Sequence, residues 1–364
     1  MSFDRQNSNA DIITILGARP QFIKAAVVSQ ALKESFEEII VHTGQHYDEE
    51  LSDIFFSELN IPPALYTLNV GSGSHGQQTA EMIAGVEEIL RKHNANFVLL
   101  YGDTNSTLAG ALAASKFSLK VVHIEAGVRS FNRDMPEEIN RIVTDHVSDI
   151  HFAPSETALD NLAAEGLTDN VYNVGDVMYD SLLQARQQAS SKILSLIGLD
   201  ENINDFILCT VHRAANTDSP KRLKTIIEGL ANAPHPIILP AHPRTVDRLE
   251  KYSLLELVND NIFIIEPVGY HDFVSLIDEA VMVATDSGGV QKEAFYLDTP
   301  CVTLRDETEW PETVMAGWNI LVGADSKKIT AALNRSDAPA SKSEIYGDGT
   351  AVEKIVNVLN KMAE

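Results

Sequence analysis

Short runs rich in β-branched residues alternate with longer segments of helical periodicity along the whole chain. This alternation is typical of βα units and predicts a mainly parallel sheet. The predicted strands of the first half are residues 12–16, 38–43, 97–101, 120–124, 151–153 and 171–175. Those of the second half are residues 206–211, 236–240, 262–266, 281–285 and 301–304. Because 364 residues exceed what one hydrophobic core usually serves, we expect two α/β domains.

Two helical segments suggest how these domains are organised. A polar-rich segment at 176–196 lies between the halves and is the predicted connector, and residues 351–363 have the periodicity of a final amphipathic helix. We predict an N-terminal Rossmann-like domain over residues 1–180, with the helix of residues 350–364 packed back on it, and a C-terminal domain over residues 181–349. The simplest architecture has two parallel sheets that face each other across a ligand-binding cleft.

Composition excludes several classes of protein. The formal net charge of −24 argues against nucleic-acid binding, because a protein that binds DNA or RNA needs a basic face. The two cysteines, Cys209 and Cys301, are too few and too far apart for a disulfide framework or a zinc site. The first ten residues lack the apolar core of a signal peptide, and no run of about 18 apolar residues occurs. We therefore expect a soluble cytoplasmic protein without membrane or nucleic-acid partners.

Three acidic residues lie where predicted strands lead into the next segment. Asp103 and Glu125 follow the strands at 97–101 and 120–124, and Glu137 lies in the segment MPEEINR. The carboxyl ends of parallel strands meet at one edge of a sheet, and open α/β folds build their ligand sites at that edge. These acids are therefore candidates for chemistry rather than packing.

A glycine-rich turn predicts an anion site in the second half. The segment VATDSGGVQKEAF predicts a strand, a turn and a helix start, where free backbone N–H groups favour a phosphate. Ser287, Gly288 and Gly289 are candidates to hold a diphosphate, and Glu293 is a candidate to accept both hydroxyls of a ribose. An ordinary tight turn with a surface glutamate explains the same pattern. Thr285 stands where a nucleophile elbow carries glycine, so we do not expect nucleophilic serine chemistry.

Basic residues near other turns are further candidates for an anionic ligand. In GARPQFIK, Arg19 and Lys24 lie about one turn apart near a helix start, where the helix dipole disfavours cations. Phosphate or carboxylate contact explains them, and so does a surface salt bridge. His212 and Arg213 follow a predicted strand of the second half, and His242 follows the next one. A histidine at such a place is a candidate general acid, although a structural role is the alternative.

Together these segments resemble the non-hydrolysing UDP-N-acetylglucosamine 2-epimerase family from about residue 11 to the end. The matching segments are GARPQFIK, TGQHYD, GDTNSTLAGALAA, HIEAGVRS, MPEEINR, VGDVMYD, TVHR, DSGGVQKEA and YGDG. The resemblance implies a glycosyltransferase-B-like fold, a homodimer, a UDP-sugar substrate, and no nicotinamide cofactor or metal. It implies reversible epimerisation at C2, with UDP-GlcNAc to UDP-ManNAc as the first candidate reaction. The implied route eliminates UDP, passes through a 2-acetamidoglucal, and adds UDP back.

The resemblance also assigns roles by matching position. It makes Asp103, Glu125 and Glu137 the acid/base residues, and it places His212 near the diphosphate, where it steadies the leaving group. Phe273 matches an aromatic residue near the uracil, where stacking is reasonable. The family positions at the phosphates and the ribose are matched by Arg19, Lys24, Ser287, Gly288, Gly289 and Glu293. We add Arg141, Arg213 and His242 as candidate substrate-binding residues.

Two further interpretations concern the adjacent glutamates and a second ligand site. Neighbours on a helix point in different directions, so only one of Glu137 and Glu138 can face the sugar, and the motif match selects Glu137. Arg141 is predicted to orient Glu137 through an i to i+4 pair, which is also a purely structural explanation for both residues. Gln45 and His46 match a region that binds a second, activating UDP-GlcNAc in some members.

Departures from the commonest family pattern leave the sugar open. Gln21 and Ala215 stand where glutamate is frequent, and Trp310 stands where an arginine often contacts the ligand. The segments GARPQFIK and RSFNRDMPEE also resemble members that act on modified UDP-sugars such as UDP-2,3-diacetamido-glucuronate. A glycosyltransferase that uses a UDP-sugar, a hydrolysing epimerase and a non-catalytic UDP-sugar sensor are the remaining alternatives.

Overall fold

The protein is described here by a computed structural model that covers residues 10–45, 61–71, 73–187, 193–196, 198–199, 203, 205–335 and 344–363. The chain forms two compact units, Met1–Ser181 with Glu344–Glu364, and Leu182–Ser343. Each unit is built on one parallel sheet. Over the residues covered, no helix is long and apolar enough to cross a membrane.

Among the described residues of unit 1, seven strands form the sheet in the order β3-β2-β1-β4-β5-β6-β7. The strands are β1 Ile12–Leu16, β2 Glu38–His42, β3 Tyr66–Thr67, β4 Phe97–Tyr101, β5 Lys120–Ile124, β6 Ile150–Ala153 and β7 Val171–Asn173. Between them lie the helices α1 Arg19–Leu32, α2 His75–Leu90, α3 Asn105–Ala114, α4 Pro136–Val147 and α5 Glu156–Ala164. Helix α6 Val177–Gln187 follows β7, begins in unit 1 and ends in unit 2. The central strands are apolar and fully buried because helices cover both faces of the sheet.

In the part of unit 2 that the structure describes, six strands form the sheet in the order β10-β9-β8-β11-β12-β13. After α7 Ile193–Leu196, the strands are β8 Ile207–Thr210, β9 Ile237–Pro240, β10 Ile262–Ile265, β11 Met282–Thr285, β12 Cys301–Thr303 and β13 Asn319–Leu321. The α-helices are α8 Ala214–Thr217, α9 Pro220–Leu230, α10 Pro243–Lys251, α11 Tyr270–Glu279, α12 Gly288–Tyr296, α13 Pro311–Met315 and α14 Ser326–Leu333, with a 3₁₀ turn at Leu255–Leu257.

Both sheets reverse their strand order at one point. In unit 1 this switch point lies between β1 and β4, and in unit 2 it lies between β8 and β11. Ligands of open α/β sheets bind outside the carboxyl ends of the strands at such a point. Every predicted strand is present, whereas the short strands β3 and β13 were not predicted. The predicted connector helix is present as α6, and its residues 188–192 lie outside the described part of the chain.

The chain returns to unit 1 for its last helix, α15 Ala351–Ala363. Ile355 and Leu359 of this helix are fully buried in the same apolar cluster as residues of α1 and β4. Asp180 accepts hydrogen bonds from the backbone N–H groups of Ala351 and Val352 at 3.2 and 3.0 Å, so it satisfies two donors at the start of α15. The final helix is therefore an integral part of the unit 1 core.

Candidate active site

Asp103 emerges from the carboxyl end of β4 beside the switch point of unit 1. It follows Gly102, whose φ of +61° suits glycine, and it precedes Thr104, which caps α3 by accepting the Thr107 N–H. From α4, Arg141 Nη2 donates to Asp103 Oδ2 at 2.5 Å. The Asp103 side chain keeps 31% exposure, so it is fixed in direction yet open to a ligand.

Glu125 leaves the sheet at the same edge. Strands β4 and β5 are paired in parallel with Tyr101 opposite Ile124, so Asp103 and Glu125 follow neighbouring strand ends. Glu125 has a φ of +71°, a left-handed conformation that is uncommon for a residue other than glycine. Lys24 of α1 forms an ion pair with Glu125, and both side chains are largely buried. Lys24, which was predicted to bind phosphate, thus forms its ion pair with Glu125, a candidate acid/base residue.

The adjacent glutamates at the start of α4 have different surroundings. Glu137 is exposed, whereas Glu138 is buried and accepts hydrogen bonds from Ser130 and Phe131. The predicted Arg141–Glu137 pair is wrong, because Arg141 Nη1 donates instead to Glu138 Oε2 at 3.0 Å. Burial alone would raise the pKa of Glu138, but the hydrogen bonds from Ser130, Phe131 and Arg141 outweigh it and lower that pKa. These hydrogen bonds therefore fix the buried Glu138 carboxylate in place, whereas Glu137 remains accessible to a ligand.

A buried network that the sequence interpretation missed supports the turn that carries Asp103. His123 Nδ1 lies 2.6 Å from Asp145 Oδ1, and His123 Nε2 lies 2.7 Å from the Gly102 carbonyl oxygen. Arg129 Nη2 contacts the other Asp145 oxygen at 2.7 Å. Burial opposes ionisation of Asp145, but His123 and Arg129 outweigh it and lower the pKa. The feature of the sequence that could have indicated this network is His123, the first residue of the matched segment HIEAGVRS.

Two glutamines fix the helix starts beside the switch point. Gln21 Oε1 accepts the Gly17 and Ala18 N–H groups at 2.8 and 3.0 Å, and its Nε2 donates to the Tyr101 carbonyl oxygen at 2.9 Å. Gln45 Oε1 accepts the Ser106 N–H at 2.9 Å, at the start of α3. Gln45 therefore holds a helix terminus next to Asp103. The partner prediction His46 and the side chain of Arg19 lie outside the described part of the structure.

In unit 2, the backbone N–H groups of His212 and Arg213 both donate to Asp286. The fully buried Asp286 carboxylate follows β11 and accepts the His212 N–H at 3.1 Å and the Arg213 N–H at 3.1 Å. Asn216 Nδ2 donates to the same carboxylate at 3.1 Å. The His212 ring is half exposed, with Nδ1 3.3 Å from Asp286 Oδ1. Asp286 thus shapes the loop after β8, a role that the sequence interpretation did not assign.

The glycine-rich turn begins α12 beside this loop. Ser287 is the N-cap residue of α12, as the strand-turn-helix pattern predicts. A Cβ on Gly288 would lie 3.3 Å from Glu309 Oε2 and 3.8 Å from Arg213 Nη2, so the backbone of the turn closely approaches both side chains. Arg305 holds Glu309 through two hydrogen bonds of 2.8 and 2.9 Å. Burial raises the pKa of Glu309, but Arg305 outweighs it and lowers that pKa.

The remaining candidates of unit 2 are more dispersed. Glu293 is buried on α12, whereas His242 is exposed and caps α10 by accepting the Arg244 N–H at 3.1 Å. Phe273 is half-buried on α11. The buried Lys292 ammonium lies 3.8 Å from the centroid of the Trp310 ring, a cation–π contact at the position of the family arginine. The described residues include no group of three or more His, Cys, Asp or Glu that could hold a metal ion.

Comparison with known proteins identifies the family. The family model of UDP-N-acetylglucosamine 2-epimerase matches residues 30–360. The chain belongs to this family. A UDP-N-acetylglucosamine 2-epimerase homolog of Methanococcus maripaludis is 53% identical over 96% of this chain and 99% of its own length. The UDP-2,3-diacetamido-2,3-dideoxy-D-glucuronate 2-epimerase of Pseudomonas aeruginosa is 49% identical over 96% of this chain and 99% of its own length.

A solved structure gives the same assignment. The crystal structure of Methanocaldococcus jannaschii UDP-GlcNAc 2-epimerase in complex with UDP-GlcNAc and UDP superposes with a TM-score of 0.84. That protein is 43% identical, and the match covers 96% of this chain and 99% of the other. The predicted family and the glycosyltransferase-B-like fold class are therefore confirmed. The 2-epimerases are isomerases, so the enzyme class is confirmed as well.

Proposed function

We propose that the protein catalyses reversible epimerisation at C2 of a UDP-2-acetamido sugar, with UDP-GlcNAc and UDP-ManNAc as the first substrate pair. The observation that carries this proposal is the placement of Asp103 and Glu125 at the ends of the paired strands β4 and β5. Each carboxylate is held by a cation, Arg141 or Lys24, in a chain that shares the family over nearly its whole length.

The proposed chemistry removes and replaces one proton at C2. A carboxylate takes the C2 proton while the C1–O bond to UDP breaks, which leaves UDP and a 2-acetamidoglucal. UDP then adds back at C1 as a second group delivers a proton to the opposite face of C2. Two groups must handle protons on opposite faces, and Asp103, Glu125 and Glu137 are the proposed set. Positioned groups of this kind typically contribute about 10²–10⁴-fold each.

Unit 2 supplies the proposed site of the leaving group. Gly288 and Gly289 form the first turn of α12, whose N-terminus favours an anion. Arg213 lies in the loop after β8 beside this turn, and the half-exposed His212 ring precedes it. A cationic arginine and a histidine donor stabilise the negative charge that develops on the departing diphosphate. Glu293 and Phe273 are the proposed ribose and uracil contacts.

A second candidate substrate is UDP-2,3-diacetamido-2,3-dideoxy-D-glucuronate. The Pseudomonas aeruginosa 2-epimerase of that compound is 49% identical to this chain, whereas the UDP-N-acetylglucosamine 2-epimerase of Methanocaldococcus jannaschii is 44% identical. The reaction is the same, and only the groups on C3 and C5 of the sugar differ. Trp310 at the position of a ligand-binding family arginine also supports a changed pocket.

Proton NMR in D₂O tests the reaction and the sugar together. The protein is incubated with each UDP-sugar separately, and the expected result is deuterium at C2 with a mixture of the two epimers. Exchange with only one compound identifies the sugar. Release of free sugar and UDP would indicate hydrolysis, and absence of exchange with both compounds at saturating concentration would refute the proposal. Because no acceptor is added, turnover also excludes a glycosyltransferase.

The assembly and regulation of the enzyme are further parts of the proposal. We propose a cytoplasmic homodimer, whose mass in solution light scattering should be about twice the 39.9 kDa of one chain. Gln45 and His46 are the proposed contacts of an activating UDP-GlcNAc. The rate of UDP-ManNAc epimerisation should then be lower with UDP-ManNAc alone than after addition of trace UDP-GlcNAc. Equal rates would refute activation.

A further inference from the structure

Phe131 combines two unfavourable features in one residue. Its φ of +59° lies in the left-handed region, which an aromatic L-residue rarely adopts, and the residue is 77% exposed. Glycine would adopt this backbone freely, and a polar side chain would be better solvated. Residues held in such conformations cluster at ligand-binding and catalytic sites, where the surrounding structure maintains them.

The buried carboxylate of Glu138 maintains this conformation. Glu138 Oε1 accepts the Phe131 N–H at 2.9 Å, and Oε2 accepts the Ser130 N–H at 2.8 Å and the Ser130 hydroxyl at 2.9 Å. The Glu138 side chain is 1% exposed. Three donors from two consecutive residues therefore fix the loop that presents the Phe131 ring.

The same carboxylate connects Phe131 to the candidate catalytic acid. Arg141 donates Nη1 to Glu138 at 3.0 Å and Nη2 to Asp103 at 2.5 Å. One Glu138–Arg141 pair thus fixes both the Phe131 backbone and the Asp103 side chain. Glu137, the exposed candidate acid, directly precedes Glu138 on α4. A sugar that reaches Asp103 and Glu137 lies in the neighbourhood of this loop.

We propose that Phe131 is a specificity residue that packs against the acetamido-bearing pyranose of the UDP-sugar, and that Glu138 is its positioning residue. This inference rests on the proposed function and goes beyond it by naming the contact with the sugar. An aromatic ring offers a flat apolar face for sugar C–H groups and for an acetamido methyl group. The contact adds affinity for the sugar and none for UDP alone.

The test compares Phe131→Gly with Asn170→Gly, a matched control that changes another residue of positive φ, +52°, in unit 1. Glycine suits both backbones, so both variants should fold with an unchanged or higher Tm. Phe131→Gly should raise the KM and the calorimetric Kd for the UDP-sugar by about tenfold, the scale of one lost apolar contact in a pocket. The Kd for UDP should stay unchanged, and Asn170→Gly should match the wild type in all constants.

Other outcomes overturn the inference. If the wild type is active and the KM and Kd of Phe131→Gly stay within twofold of it, the ring does not contact the sugar. A change of oligomeric state with unchanged constants would place the ring in a subunit interface. If the wild type turns over neither UDP-sugar, the proposed function fails, and the ratio of UDP-sugar to UDP affinity still tests Phe131 separately.

A double-variant comparison tests the positioning role of Glu138. Glu138→Gln should raise KM through the loop and lower kcat through Arg141 and Asp103. The effects of two substitutions that remove the same contact do not add. Adding Phe131→Gly to Glu138→Gln should therefore raise KM no further. A purely structural role for Glu138 predicts a lower Tm with additive effects on KM, and that result would refute the positioning role.

Discussion

Each of the two acids at the sheet edge of unit 1 is held by a cation from a helix. Lys24 of α1 binds Glu125, and Arg141 of α4 binds Asp103. These pairs join residues 101 and 38 positions apart, so they depend on how the helices pack. A carboxylate with a fixed partner keeps one orientation, which proton transfer at a sugar carbon requires.

Loss of either acid should abolish most turnover. Asp103→Asn and Glu125→Gln keep the size of the side chain but cannot accept and return a proton, so kcat should fall by at least about a hundredfold. Asp160→Asn, an exposed change on α5 of the same unit, is the matched control. The rate of C2 deuterium incorporation measures the effect. Unchanged rates in both acid variants would show that these residues are structural.

The choice between neighbouring glutamates shows what sequence reasoning settles at this scale. Arg141 is within reach of both residues by helical spacing, three positions from Glu138 and four from Glu137. Tertiary contacts decide, because the Ser130 and Phe131 N–H groups require an acceptor that Glu138 provides. Asp286 escaped prediction for the same reason, since its donors His212 and Arg213 lie more than 70 residues away. A motif identifies turn residues but not the loop that folds against them.

At the scale of elements, apolar runs of three to six residues predicted the strands well. Strands β1 and β4 coincide with their predicted bounds. Strands β3 and β13 have only two and three residues, so they contribute little to the periodic pattern of the sequence. They exist because the sheets extend to them through parallel pairing, with Val41 opposite Tyr66 and Cys301 opposite Asn319. The positions of β3 and β13 therefore depend on tertiary pairing and not on the local sequence.

The last helix provides a stability prediction. Ile355 of α15 is fully buried in the unit 1 core, so Ile355→Ala should lower the free energy of unfolding of that unit by about 2–5 kcal/mol. Asn357→Ala on the exposed face of the same helix should change it by less than about 0.5 kcal/mol. Urea denaturation followed by circular dichroism measures both. Equal stability of the two variants would show that α15 is dispensable for the core.

At the scale of the whole molecule, buried carboxyls make stability depend on pH. The pKa values of Glu138, Asp145 and Glu309 are lowered, because hydrogen bonds and cationic partners outweigh burial in each case. The pKa of Glu38 is raised by burial, and this group acts in the opposite direction. A lowered folded-state pKa means that the folded protein binds fewer protons than the unfolded chain in the acid range.

Acid should therefore weaken the fold. The stabilisation from the three ionised carboxyls is fully present above their unfolded-state pKa values, which lie near 4 to 4.5, and it is lost as the pH falls through the lowered values. The urea midpoint should be constant from pH 7 to about pH 5 and should decrease from about pH 5 to pH 3. A midpoint that increases over the acid range would show that the groups with raised pKa dominate.

Because the chain returns to unit 1 after unit 2, the two units can complete their folding in a fixed order during synthesis. Unit 2 is one continuous segment, Leu182–Ser343, whereas the core of unit 1 lacks Ile355 and Leu359 until the last residues are made. Domains generally fold as units during synthesis, so unit 2 can close while unit 1 still exposes apolar surface. Proteolysis of a chain that ends at residue 343 should spare unit 2 and degrade unit 1, and equal resistance of both would contradict this order. Unit 1 is therefore synthesised first but completes its core after unit 2.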